Sequence, residues 1–345
     1  VEERVRGYAH SEGHSGGVKR THLLWVVAGC LASWAAVAWA EPPLGRLRVA
    51  CLMSGSFNWE LAVIKREQLD LKHGFLLEKV LYAGLPAKNI ALLGGEVDLI
   101  VNSWLMVAAQ RARGVPIQAV YPYTCNVGFL VVPQHSPIQS LADLRGKRVG
   151  ISSPVDGTWL TLRAACQSLY RFDPLAENIA ISGSPPLLSG LLERGELDAI
   201  LQFWQHVPML LATGRFRSVA SVADLVRLVG SSEPVPFDMY VSREDFLRDH
   251  QRLIRAYLRA AGEAREYIAR TSTIWPELGR MMGIEDPAIL SLLRAQYLEG
   301  LPRSWNAGSI QDLNDLLADL DRAECTQILG FRAIPPGTFS TAYFD

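Results

Sequence analysis

The stretch LGGEVDLIVNSW, Leu93 to Trp104, returns one hundred residues later as ERGELDAILQFW, Glu193 to Trp204. Gly95 and Gly195, Glu96 and Glu196, Asp98 and Asp198, Ile100 and Ile200, and Trp104 and Trp204 coincide. In each copy an apolar run follows a glycine-bearing turn and ends on tryptophan. The run has the length of a buried strand, and the glycine stands where a helix must stop.

Working outward, each copy closes the same series. Before the first, Arg46 to Met53 alternates and then turns apolar, which predicts a strand. Ser54-Gly55-Ser56 interrupts it. Phe57 to Leu71 then places Leu61, Ile64 and Leu69 at helical spacing. LLEKVLY predicts a second strand, and Pro86 opens a short helix that Gly94-Gly95 ends. Before the second copy come a strand at Lys147 to Ile151, a polar turn from Ser152 to Thr158, and a helix through Tyr170. ENIAIS, Glu177 to Ser182, is a further strand, and a helix opens at Ser184. Both halves therefore read βαβαβ, an order that right-handed crossovers turn into a parallel sheet. CNVGFLVVP (Cys125 to Pro133) and FDMYVS (Phe237 to Ser242) predict strands where the chain crosses between halves. Ser242 is expected to cap a long amphipathic helix through Arg270, and Ser309 another through Ala323. The fold expected is α/β and two-lobed, each lobe a mostly parallel sheet flanked by helices. Residues 45–126 with 237–345 form one lobe and 127–236 the other, with two hinge-crossing strands.

Composition narrows the function. The chain has 345 residues, 49% apolar, with 34 Lys and Arg against 35 Asp and Glu. No basic run provides a nucleic-acid footprint. Lys19-Arg20, an apolar run from Leu23 to Ala38, and Ala38-Trp39-Ala40 have the layout of a cleavable secretory signal in residues 1–40. A signal starting near Val18 would be compact. The run is short for a permanent anchor, since a bilayer needs about 20 apolar residues. Lipidation at Cys30 is disfavoured because the following residues remain apolar. A periplasmic location is expected. Cys51, Cys125, Cys166 and Cys325 would remain, without a Cys-x-x-Cys pair. No metal or cofactor motif is present: His-Glu-x-x-His and the phosphate loop are absent, and Gly150-Ile151-Ser152-Ser153-Pro154 lacks the closing glycine of a nucleophile elbow.

Ligands of such sheets gather at the carboxyl ends of the strands. That places Ser54, Ser56, Asn58, Trp59, Asn102, Trp104, Tyr123, Ser152, Asp156, Gly157, Thr158, Trp204 and Asp238 as candidate ligand-binding residues. Asp156-Gly157-Thr158 opens a helix, where backbone N–H groups and the dipole suit an anionic or polar group. The loops after the strands carry no Arg or Lys but many aromatics, including Trp159 and Phe203. That tilts expectation from nitrate toward planar or hydrophobic organic solutes, sulfonate-, aromatic- or pyrimidine-like, and an aromatic ring over a cation is also open. Glu96, Asp98, Glu196 and Asp198 lie at the opposite ends of the strands and are expected to form turns, not a carboxylate pair.

The order of parts resembles a type II solute-binding protein of an ABC importer, within the nitrate, sulfonate, taurine and thiamine-precursor binding family. SPIQSLADLRGKRVGI (Ser136 to Ile151), GELDAILQFWQHVP (Gly195 to Pro208) and FLRDHQRLIRAYLRAAGEAREYI carry the resemblance, over roughly residues 46 to 323. Gln251 stands where that family usually has proline. The resemblance implies hinge closure on a small molecule, no enzymatic activity, and delivery to a membrane permease with its ATPase by a monomer. Two alternatives share the scaffold: an enzyme acting on a small metabolite, which a cleft carboxylate of strongly raised pKa, such as Asp156, would favour, and a sensor presenting bound ligand to a membrane receptor.

Overall fold

Arg48 and Asp98 show how the repeated words build a sheet. The backbone N–H of Arg48 donates to the Asp98 carboxylate at 2.8 Å, and the Asp98 N–H returns a bond to the Arg48 carbonyl at 2.8 Å. The guanidinium adds bonds of 3.0 and 2.6 Å. Arg148 and Asp198 repeat the set, with 2.8 Å to the carboxylate, 2.9 Å returned, and guanidinium bonds of 3.1 and 2.8 Å. Each aspartate thus pins the start of the third strand of its half to the start of the first. Gly95 and Gly195, at φ of 75° and 72°, turn the chain out of the preceding helix, a conformation that a Cβ opposes. These acidic residues do lie at turns away from the cleft, but the aspartates also clamp strands.

The computed structural model describes residues 44–344 apart from Ser54, Asn178, 230–234, Ala323 and Cys325. The signal-like segment, Cys30 and Ser54 fall outside the described residues. The first sheet has the order β2-β1-β3-β10-β4, with β1 Arg46–Leu52, β2 Leu76–Tyr82, β3 Leu99–Ser103, β4 Ile117–Thr124 and β10 Asp238–Arg243. The second has the order β7-β6-β8-β5-β9, with β5 Gly128–Pro133, β6 Arg148–Ile151, β7 Ile179–Ser182, β8 Ala199–Phe203 and β9 Phe216–Ser221. In each sheet the three strands of the βαβαβ series are parallel, and β10 or β5 joins antiparallel at the same place. This is the two-lobed periplasmic-binding-protein architecture. The crossings are Cys125-Asn126-Val127 outward and the segment before β10 on return.

The principal helices are α1 Phe57–Arg66, α2 Leu85–Leu93, α3 Trp104–Ala112, α4 Gly157–Tyr170, α5 Pro185–Glu193, α6 Gln251–Arg270, α7 Pro287–Glu299 and α8 Ala307–Arg322. Each apolar face explains its position: Leu61, Val63 and Ile64 of α1 and Leu253, Ile254 and Tyr257 of α6 share one core with Val49 and Leu99. A second core joins Trp104, Leu105 and Val107 of α3 to Trp159, Leu162 and Ala165 of α4, and to Leu313 and Leu317 of α8. The C-terminal helices were expected to complete the first lobe. α6 and α7 share the core of the first sheet with Val49 and Leu99, whereas α8 shares a core with helices that follow strands of both sheets.

Three local expectations are corrected. Ser242 lies within β10, fully buried, and its hydroxyl donates to the Asp98 carbonyl at 2.6 Å, because pairing with β3 and β4 extends the strand past it. The helix expected from Ser242 to Arg270 is broken at His250, whose φ of −128° is not helical. At α8, Asn306 takes the capping role expected of Ser309, its Oδ1 accepting from the Gly308 N–H at 2.8 Å.

Candidate functional site

The carboxyl ends of both central strands meet around a cavity of about 640 Å³, counting the part open to solvent. Elements from both sheets wall it. Ser56 and Phe57 begin α1, Leu85 and Lys88 begin α2, and Asn102 and Ser103 end β3. Tyr123 and Thr124 end β4, and Asp238 begins β10. From the second sheet come Asp156, Gly157 and Thr158 at the start of α4, with Phe203 ending β8 and Trp204 and Gln205 after it. The walls are close together. A Cβ on Gly157 would collide with the Ser103 side chain and lie 2.9 Å from the Phe237 ring, so only glycine permits this approach.

Of the residues expected to bind ligand, Ser56, Asn102, Tyr123, Asp156, Gly157, Thr158, Trp204 and Asp238 line the cavity together. Asn58, Trp59, Trp104 and Ser152 are not among its lining residues. Asn58 holds the loop between β1 and α1: its Nδ2 donates to the carbonyls of Leu52 at 2.5 Å and Gly55 at 3.1 Å, while Oδ1 accepts from the Cys51 thiol at 3.1 Å. Trp59 is turned into the core, edge-on to Trp204 at 5.8 Å and Trp275 at 5.6 Å. Trp104 is fully buried, with Phe339 6.2 Å away. Trp159 is likewise fully buried in the core. The Ser152 hydroxyl donates to the Asp156 carboxylate and so acts behind the wall.

Tyr123 is braced edge-on by Phe57 at 5.3 Å, and its hydroxyl lies 3.4 Å from Ser56 Oγ. Behind it, Glu60 of α1 accepts from the hydroxyls of Tyr240 at 2.6 Å and Tyr257 at 3.0 Å, with Arg265 at 3.8 Å. Burial pushes the Glu60 carboxyl above its ordinary range, against the pull of Arg265. Asn102 donates to Asn89 Oδ1 at 2.8 Å and accepts from the Ser103 N–H at 2.9 Å. Gln202 repeats this in the other sheet, donating to the Pro185 carbonyl at 2.9 Å and accepting from the Phe203 N–H at 3.0 Å.

The sequence reading missed Lys88. The loops after the strands carry no cation, but the first turn of α2 delivers one, buried, with Nζ donating to the Val101 carbonyl at 2.5 Å. Four residues past Gly84, on a helix that starts at the cleft, is the signal that could have found it. Burial pushes the Lys88 ammonium down to about 8, opposed by the field of Asp238. Burial, aided by the charge of Asp156, pushes the Asp238 carboxyl up to about 7, while Lys88 pulls it down. Asp156 caps α4, accepting from the Thr158 N–H and hydroxyl, each at 2.7 Å. Cys51 also lines the cavity as a free thiol, pushed up to about 11 by burial and therefore protonated near neutral pH. Cys125 and Cys166 are free as well.

The fold and its interlobe site define a periplasmic-binding-protein-like molecule. The chain belongs to the NMT1/THI5-like family, whose profile matches residues 85–271, more than half of it. Among solved structures it is similar to the alkanesulfonate-binding protein SsuA of Xanthomonas axonopodis pv. citri bound to MOPS, with TM-score 0.71, 18% identity, and 87% of this chain and 99% of that one covered. The periplasmic aliphatic sulphonate binding protein SsuA of Escherichia coli gives TM-score 0.66 at 16% identity, covering 86% and 92%. A curated relative, the 4-amino-5-hydroxymethyl-2-methylpyrimidine phosphate synthase of Schizosaccharomyces pombe, is 24% identical over 237 residues, 64% of this chain and 67% of that one.

Proposed function

We propose that this chain is an extracytoplasmic substrate-binding protein of an ABC importer. It captures a small organic solute between its lobes by hinge closure and delivers it to a permease. One observation carries the proposal: a cavity built by both sheets at the carboxyl ends of their strands, with polar groups converging on aromatic walls. Similarity to sulfonate-binding proteins supports the scaffold. A periplasmic location, through the signal-like segment in residues 1–40, belongs to the same proposal, as do a monomeric state and a permease with its ATPase as partners.

The test is a thermal-shift screen of the purified chain against sulfonates, aromatic acids, pyrimidines and amines, followed by calorimetry. Binding to the closed form raises the melting temperature by mass action. Silence toward every class at millimolar ligand would overturn the proposal.

A second reading is an enzyme on the same scaffold. The synthase relative supports it, as does Asp238, a cleft carboxyl pushed up to about 7, where a proton can be taken or given near neutral pH. Turnover of a bound compound, followed by mass spectrometry, decides between the two.

A further inference from the structure

The positive elements of the cleft are each matched by a carboxylate of the chain itself. The start of α4, which would otherwise attract an anion, is occupied by Asp156, held there by the Thr158 N–H and hydroxyl and by the Ser152 hydroxyl. Lys88 shares the cavity with Asp238 and donates a hydrogen bond to the Val101 carbonyl. Among the described residues lining the cavity, Lys88 is the one cation, against the two carboxylates of Asp156 and Asp238.

The two carboxylates come from opposite walls. Asp238 pairs in register with Ser103, and Ser103 is the residue against which Gly157 closes, next to Asp156. The contact therefore sets Asp156 and Asp238 on facing walls of one cavity. Lys88 offsets one of these two negative charges, so the desolvated space keeps an excess of negative charge that a positive group entering between the carboxylates would balance. Phe57, Tyr123, Phe203 and Trp204 supply apolar and π surface around that space, which favours a cation over an anion.

We infer that the cleft takes a small organic cation, a protonated amine held between Asp238 and Asp156 with its apolar remainder against the aromatic wall. The inference rests on the solute-capture function proposed above and adds the charge of the solute. Strong anions, sulfonates and nitrate included, find no unmatched positive charge in the closed cleft.

The test uses three probes of one shape: benzylammonium, benzyl alcohol and phenylmethanesulfonate, titrated into the purified chain at neutral pH by calorimetry and thermal shift. Benzylammonium is expected to bind, at least tenfold tighter than the alcohol, and the sulfonate to give no response. Asp238→Asn is expected to erase the preference for the amine over the alcohol. If the sulfonate binds as well as the amine, the charge assignment is overturned while solute capture stands. If the alcohol matches the amine, the assignment is overturned equally. If all three are silent at millimolar concentration the assignment also falls; capture itself falls only if the broad solute screen is silent too. The wild-type comparison needs no variant, so it remains decisive even if Asp238→Asn fails to fold.

Discussion

The twin stretches perform the same backbone duty and part company at their tryptophans. The Trp104 N–H donates to the Phe237 carbonyl at 3.1 Å and the Trp204 N–H to the Val127 carbonyl at 3.2 Å. Each therefore ties the end of a central strand to a crossing between the lobes. The side chains then diverge. The Trp104 indole enters the core beneath α3, where Phe339 lies close to it. The Trp204 indole stands at the cleft, backed edge-on by Trp59. A repeated sequence thus repeats an attachment to a crossing segment, while the neighbours of each copy decide whether the ring also lines the cavity. The cleft is correspondingly asymmetric: the first half supplies Lys88 and Asp238, the second supplies Asp156 and Trp204.

The largest effects should come from removing the rings. Trp104→Ala is expected to cost about 3–5 kcal/mol of folding stability, the usual range for a large core aromatic, measured by denaturant unfolding. Trp204→Ala should weaken ligand binding by about 2 kcal/mol, roughly thirtyfold, and cost less stability than its twin. Equal losses of stability would erase the distinction drawn between the two tryptophans.

The strand clamps should differ next. Asp98 is buried beneath Arg48, whereas Asp198 and Arg148 have side chains 33% and 40% exposed. Asp98→Asn is therefore expected to cost about 1–3 kcal/mol, and Asp198→Asn no more than about 1 kcal/mol. The Arg148 guanidinium holds the Asp198 carboxyl below its ordinary range. Its contribution should be present above that range and disappear as acid protonates it, so acid titration of the Asp198→Asn variant should converge on wild type.

Asp238 should show the opposite sign. Its carboxyl, at about 7 in the folded state against an ordinary 3.8, binds a proton more readily folded than unfolded. Its presence therefore lowers stability progressively as pH rises from about 4 to about 7. Asp238→Asn should raise the melting temperature of the ligand-free protein above pH 7, with the gain fading toward pH 4, while binding of the solute is lost. A variant less stable than wild type at pH 8 would show that the side chain holds the return crossing together instead of serving the ligand.

The smallest effect should separate Asn102 from Gln202, twin positions one residue before the end of each strand. Asn102→Ala should weaken ligand binding by about 1 kcal/mol, because Asn102 lines the cavity. Gln202→Ala should leave binding near wild type, since that amide is committed to the start of α5. Calorimetric titration of both variants tests the pair.

Much of the fold was legible because it is written in short-range pattern. Alternation and apolar runs marked the strands, glycines marked helix ends, and the duplicated order implied two parallel sheets. The edge strands β4 and β9 were less legible, since Tyr121-Pro122 interrupts one and Arg217-Ser218 the other. The cavity lining was legible wherever residues stand at or just past the end of a strand, as with Ser56, Asn102, Asp156 and Trp204. It was not legible at Lys88, which reaches the cleft from a helix turn, nor at Trp59, which turns away from it.

By itself the sequence determined the two βαβαβ halves, the positions where the chain crosses between them, and which strand ends face a common cleft. Periodicity and turn chemistry act within a few residues and are readable there. The tertiary structure alone decided the electrostatics of that cleft. Lys88, Asp156 and Asp238 are separated by long stretches of chain, and closure of the two walls on Gly157 brings them into one desolvated space. Burial then lowers the pKa of Lys88 to about 8 and raises that of Asp238 to about 7, and only the assembled cavity supplies that burial.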